Sequence, residues 1–314
     1  MNKKILYFVI ILILLQACKS KTNKLDVPGY ELEQGEIEVS EEAMEDIIEN
    51  ISSPIEMAAL IKELGVQYNN RLLSDPASFE NHTTSFHMAI DLGILGADLG
   101  YLNVYEKTGS AVHYLTEINK LADGLKVSRF FDFNTIKRLA TTNSNIDSLM
   151  FLTVHSFNEM DDHLRETNRS NLSALMISGV WLEGMYQATQ VADKNPDPLL
   201  AEYIGEQKIT LNDLLIILNN YAKDEQFSSL ISDFELIKGA FDGVSISYEI
   251  ADPQTVEKDG MLMVVQEERS VVNIPDNVLK EIIGITKSVR DKRLREVKRG
   301  AGKLGSWEAG KSGS

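Results

Sequence analysis

The chain has 314 residues, 31 of them basic and 47 acidic, for a formal charge of −16 at neutral pH. A balance of that sign excludes nucleic acid as a partner, because phosphate binding needs a basic footprint, and by itself says nothing about fold. A lone cysteine, Cys18, excludes an internal disulfide and leaves that thiol for another use.

At the start of the chain, Lys3 and Lys4 precede an unbroken apolar run from Ile5 to Leu15, which leads into Leu15-Gln16-Ala17-Cys18. A charged start, an apolar run and a small residue before a cut describe a signal peptide over residues 1–17. The run is about 11 residues, whereas a membrane-spanning helix takes about 20. The four residues ending at Cys18 resemble the lipobox of bacterial lipoproteins, although Gln16 stands where a small or apolar residue is usual. That resemblance implies diacylglycerol and further acyl chains, palmitate among them, on Cys18 after cleavage, and several chains together give lasting membrane attachment. Lys19 is not the aspartate that marks inner-membrane retention, so the resemblance implies a lipid-anchored protein of the outer membrane. Without Lys3 and Lys4 the balance becomes 29 basic against 47 acidic residues.

Residues 18–40 hold Pro28, Gly29 and Gly35 among charges and show little apolar periodicity, which predicts a flexible tether. The folded body is predicted over 41–243 as an all-α, multi-helix bundle. Ser53-Pro54-Ile55-Glu56 reads as a capping box opening a helix from Pro54 to about Leu73, broken by Asp75-Pro76. Further helices are predicted from His82 to about Glu106, Ser110 to about Leu125, Asp132 or Asn134 to Thr142, Asn145 to Glu166 and Ser170 to Ala192. Pro198 to Ile204, Thr210 to Ala222 and Gln226 to about Phe241 complete the body. Residues 244–275 are rich in β-branched side chains around Glu257-Lys258-Asp259-Gly260, which predicts a small hairpin or loop excursion. A basic helix follows over 276–299, and the Gly- and Ser-rich 300–314 reads as a disordered tail.

Two stretches share glycines at close-packing spacings, an acid amid apolar residues and late tyrosines: Met88–Glu106 and Leu172–Gln190. They raise the expectation of two related helical halves. Gly93, Gly96 and Gly100 each cost a helix about 1 kcal/mol relative to alanine. Close approach of another backbone offsets that cost, with Gly179 and Gly184 in the same part on the second stretch; a hydrophobic ligand in a gap between the helices is the alternative.

His155, Glu159 and His163 lie at i, i+4 and i+8 on one predicted helix face, with Asp162 beside them. Imidazole and carboxylate in that pattern suit a divalent transition metal, with His82, His87, Asp91 or Asp98 supplying ligands from another helix. The plain alternative is a solvated, salt-bridged face. Asp98 and Glu183 stand in apolar, glycine-rich surroundings and, if buried, must be paired or hydrogen-bonded, either as a carboxylate pair at a ligand site or each at a neighbouring helix end. No phosphate loop, nucleophile elbow or Cys/His pair is present, which argues against an enzyme.

The stretches LGILGADLGYLNVYEKT and LMISGVWLEGMYQATQ resemble uncharacterised helical lipoproteins of Bacteroidetes-type bacteria, and that resemblance implies placement in the envelope without an activity. The sequence therefore predicts a non-enzymatic envelope lipoprotein, a binding or accessory module that docks another envelope protein or a small ligand, with the metal-binding bundle as the alternative. The ten basic residues between Lys280 and Lys311 are expected to be a solvated face or to meet an anionic surface such as peptidoglycan or lipid.

Overall fold

The computed structural model describes residues 55–79, 84–142, 146–250, 254–258, 261–265 and 268–309. Cys18, the signal and tether segments, the Ser53-Pro54 cap and His82 lie outside the described residues. The architecture is an all-α bundle carrying one small antiparallel ribbon before its last helix.

The first helix among the described residues, α1, spans Glu56–Glu63 and not the longer stretch to Leu73 that the sequence suggests. Gly65 stops it with φ at +75°, a left-handed turn that glycine enters without steric cost. The Gly65 and Val66 amides donate back to Lys62 and Ile61, closing the last turn. Beyond it the chain is irregular, with short 3-10 turns at Asn70–Leu72 and Pro76–Phe79. Side chains from other helices pin this stretch: the Tyr105 hydroxyl donates to the Val66 carbonyl at 2.7 Å, and the Asn69 amide donates to the Tyr101 hydroxyl at 3.1 Å.

Helices α2 (Ser85–Val104), α3 (Thr108–Gly124), α4 (Phe133–Thr142), α5 (Ile146–Glu166) and α6 (Ser170–Lys194) follow. Thr84 caps α2 by accepting from the His87 amide. Both α2 and α6 are buried almost all round, as their lack of a polar face requires. They cross in backbone contact: a Cβ added to Gly93 would lie 1.9 Å from the Met176 carbonyl oxygen, and one on Gly179 would lie 2.1 Å from that of Ile90. That reciprocal contact bears out the expected backbone approach and leaves no gap there for a hydrophobic ligand. Gly96 faces the Phe157 ring instead, 2.5 Å from an added Cβ, while Gly184 meets only Met57 at ordinary distance.

Helix α7 runs unbroken over Pro198–Asn219, where the sequence suggests two helices. Gly205 does not end it. It makes room for Val272, whose Cγ1 would sit 2.4 Å from an added Cβ. Asp197 caps α7 through the Leu199 and Leu200 amides, and Asp224 caps α8 (Glu225–Ala240) in the same way.

The ribbon pairs β1 (Ser245–Ile250) with β4 (Glu268–Asn273), and β2 (Gln254–Lys258) with β3 (Met261–Val265), both antiparallel. The registers are Ser245 opposite Asn273 and Lys258 opposite Met261, which places the reversal where the sequence does. Helix α9 then spans Asp276–Ala309, past the predicted end near Lys298. Glycines at 300 and 302 weaken a helix without stopping one already propagating.

Candidate functional site

Four buried groups, Arg290, Glu183, Ser74 and Asp98, meet where α9 packs against α6. Arg290 of α9 places its guanidinium fork against Glu183 of α6, with Nε donating to Oε2 at 2.9 Å and Nη2 to Oε1 at 2.7 Å. Glu183 is wholly closed to solvent and the Arg290 side chain is 8% exposed. Nη2 also donates to the Ser74 hydroxyl at 2.9 Å, and that hydroxyl donates to Glu183 Oε1 at 3.3 Å. The guanidinium lies over the Tyr186 ring, 4.2 Å from its centroid.

Asp98 of α2 completes the cluster and is also fully buried. Its Oδ2 accepts the Ser74 amide and its Oδ1 the Gln187 side chain, both at 3.0 Å. Burial, and then the neighbouring Glu183 charge, push the Asp98 carboxyl well above the usual carboxylate range, against the pull of Arg290 and the Ser74 hydrogen bonds. Burial alone would lower the pKa of Arg290, but the adjacent Glu183 outweighs it and holds the guanidinium firmly charged.

Asp98 and Glu183 are sealed from solvent, and together they hold Ser74. Its amide binds Asp98, its hydroxyl binds Arg290 and Glu183, and its carbonyl accepts the Tyr114 hydroxyl at 2.6 Å. Ser74 and Tyr114 are in turn the back wall of an open pocket of about 560 Å³. One face of α3, with Ser110, Tyr114 and Glu117 at i, i+4 and i+7, lines one side; the irregular stretch from Tyr68 to Ala77 lines the other. Glu117 is a charged residue with a side chain only 6% exposed, held at 2.8 Å by the half-exposed Lys120. Burial raises the Tyr114 pKa above its ordinary value, and the charges of Asp98, Glu183 and Asp75 raise it further.

Asp98 and Glu183 are therefore both buried and hydrogen-bonded; they share Ser74 as a partner and do not bond to one another. The histidines do not join them. His155 stands 3.7 Å from Glu159 and stacks on the exposed Phe151, as expected of a solvated face. His163 lies against the Phe130 ring with Arg129 within 3.2 Å, and desolvation, then the Arg129 charge, lowers its pKa. A guanidinium so placed opposes a second cation. His87 contacts the Thr84 hydroxyl at 2.7 Å at the start of α2, and Asp162 pairs with Arg165. Among the described residues, no group of three or more His, Cys, Asp or Glu side chains is placed to hold a metal ion.

Sequence reasoning missed Arg290, Ser74, Gln187 and the α3 face. Arg290 had a signal. Val278, Ile282, Thr286 and Val289 mark the buried stripe of α9, and Arg290 and Arg293 fall on it. Arg293 and Lys292 both pair with the buried Asp233 of α8, Arg293 from inside the protein and Lys292 from a side chain that stays 43% exposed.

Comparison with known proteins adds no relative: no family model, no curated protein and no solved structure matches the chain.

Proposed function

We propose that this is a lipid-anchored envelope protein of the outer membrane whose helical body is a non-enzymatic binding module, with the pocket beside α3 as its ligand site. The observation that carries the reading is the wall of that pocket. Every polar group of Ser74 is tied into a buried ionic network, so the cavity is preformed and its shape costs no ordering when a ligand enters. The anchoring half rests on Leu15-Gln16-Ala17-Cys18, and outer-membrane placement on Lys19. No helix among the described residues is long and apolar enough to cross a membrane.

Metabolic labelling with an alkyne fatty acid tests the anchor: Cys18→Ser should lose both label and maturation, and a variant still processed and wash-resistant in the membrane overturns it. Native mass spectrometry of the full-length protein in non-ionic detergent tests the module. A copurifying ligand or stoichiometric partner should be lost in Ser110→Trp, which fills the pocket from an exposed position. If wild type carries neither, the binding reading fails.

A further inference from the structure

We propose that two copies of this chain associate through the outer edge of β3, which pairs antiparallel with its counterpart across a two-fold axis to make a four-stranded sheet. The inference goes beyond the pocket and is independent of it.

Composition and position disagree on β3. Its five residues, Met261–Val265, are all apolar. Successive residues of a strand alternate between faces, so an unbroken apolar run is the pattern of an inner strand covered on both sides. Yet among the described residues β3 pairs only with β2, and its other edge is open. Helix α7 packs on β4, but no helix packs along β2 or β3. A two-stranded ribbon without such support is marginal in water, whereas further strands give it lasting order.

The other strands carry what an edge needs to keep chains away. Glu249 lies in β1, Glu257 and Lys258 in β2, and Glu268 and Arg269 in β4. Of the four, only β3 has no charged residue, and no proline or glycine interrupts it. Its open row of N–H and C=O groups therefore presents no obstacle to a further strand.

Charge and register identify that strand as a second copy. Each chain is formally −16, so two copies approach one another only where acids do not face acids. Pairing β3 over its full length sets Met263 opposite Met263 of the second copy, Leu262 opposite Val264, and Met261 opposite Val265. Every pair is neutral and apolar, and the same edge serves both copies, as a two-fold interface requires. The strand order becomes β2-β3-β3-β2, which gives β3 the inner place its composition calls for.

Cysteine crosslinking and sedimentation of the full-length protein, in a large excess of non-ionic detergent micelles, test the pairing, with wild type as the control for Cys18. Met263→Cys falls on the axis, where opposed residues stand about 4.5–5.5 Å apart at Cα, within disulfide reach. Val256 is level with Met263 on β2. The two copies of Val256→Cys stand three strand spacings apart, about 14 Å and out of reach. Mild oxidation should therefore crosslink Met263→Cys into dimers and leave Val256→Cys monomeric. Met263→Lys sets two ammonium groups opposite one another and should weaken self-association at least about tenfold, with the helical circular dichroism unchanged. Because the interface is neutral while the bodies repel, wild-type association should tighten as salt is raised. Equal crosslinking at both positions, crosslinking at neither, self-association indifferent to Met263→Lys, or a wild type still monomeric when concentrated in high salt overturns the proposal.

Discussion

Replacing Arg290 by methionine would strand the carboxylate of Glu183 in a site with no solvent. Three hydrogen bonds go with the guanidinium, two that it donates to Glu183 and one that it donates to the Ser74 hydroxyl. Breaking a buried ion pair from one side costs about 3–5 kcal/mol. In thermal unfolding that corresponds to a loss of roughly 6–20 °C. Adding Glu183→Leu removes the orphaned charge, so the double variant should recover most of the loss, because replacing both partners by apolar groups is nearly neutral. Urea unfolding of wild type, both single variants and the double variant at pH 7 measures the cycle. If the two single effects add to within about 0.5 kcal/mol, the network does not hold the protein together in this way.

Glycine positions separate close contact from mere helix propensity. Gly179→Ala should cost about 3 kcal/mol or more, because its Cβ has no room against the Ile90 carbonyl, whereas Gly239→Ala in α8, with nothing within 4 Å, should stabilise by about 0.5–1 kcal/mol; equal effects in urea unfolding would sink the crossing geometry. The pH dependence of stability should carry a component from Asp98. Its folded pKa is raised, so the folded state holds the proton more tightly than the unfolded chain; that contribution is most favourable below pH 3.8 and declines as pH rises through the folded value. Asp98→Asn removes this decline and leaves those of Asp161 and Asp213, whose carboxyls are also raised by burial. Parallel stability curves for wild type and variant from pH 4 to 8 would show that Asp98 does not titrate this way.

The helices were legible wherever apolar spacing and a cap agreed, as at Asp197-Pro198 and Asp224. They were misjudged where a glycine's role depended on tertiary neighbours. Gly65 ends α1 while Gly205 passes inside α7, and only the presence of Val272 beside the second distinguishes them. Asp98 and Glu183 could be singled out because an acid on an all-apolar helix must find a partner. The partner could not, since Arg290 lies 107 residues from Glu183 and sits among charges that look solvated when counted by composition. Reading α9 by face instead of by sum would have placed Arg290 and Arg293 on the buried stripe. The pocket had no sequence signal, because half of it is the irregular stretch from Tyr68 to Ala77, which forms no repeating pattern.

Ser74 ties these levels together. It belongs to a stretch without a backbone ladder of its own, so its position is set by what its three polar groups bind: Asp98 of α2, Tyr114 of α3, and the Glu183–Arg290 pair of α6 and α9. Four helices thus fix one residue, and that residue is pocket wall. A buried ion pair is weak evidence for stability, since apolar replacement is often as good. Its use here is positional. A leucine and a methionine in place of Glu183 and Arg290 would fill the space between α6 and α9 but take from the Ser74 hydroxyl the ion pair it binds there. On this argument the double variant that recovers stability should keep the fold and lose definition at the pocket, which separates what holds the bundle together from what shapes its binding site.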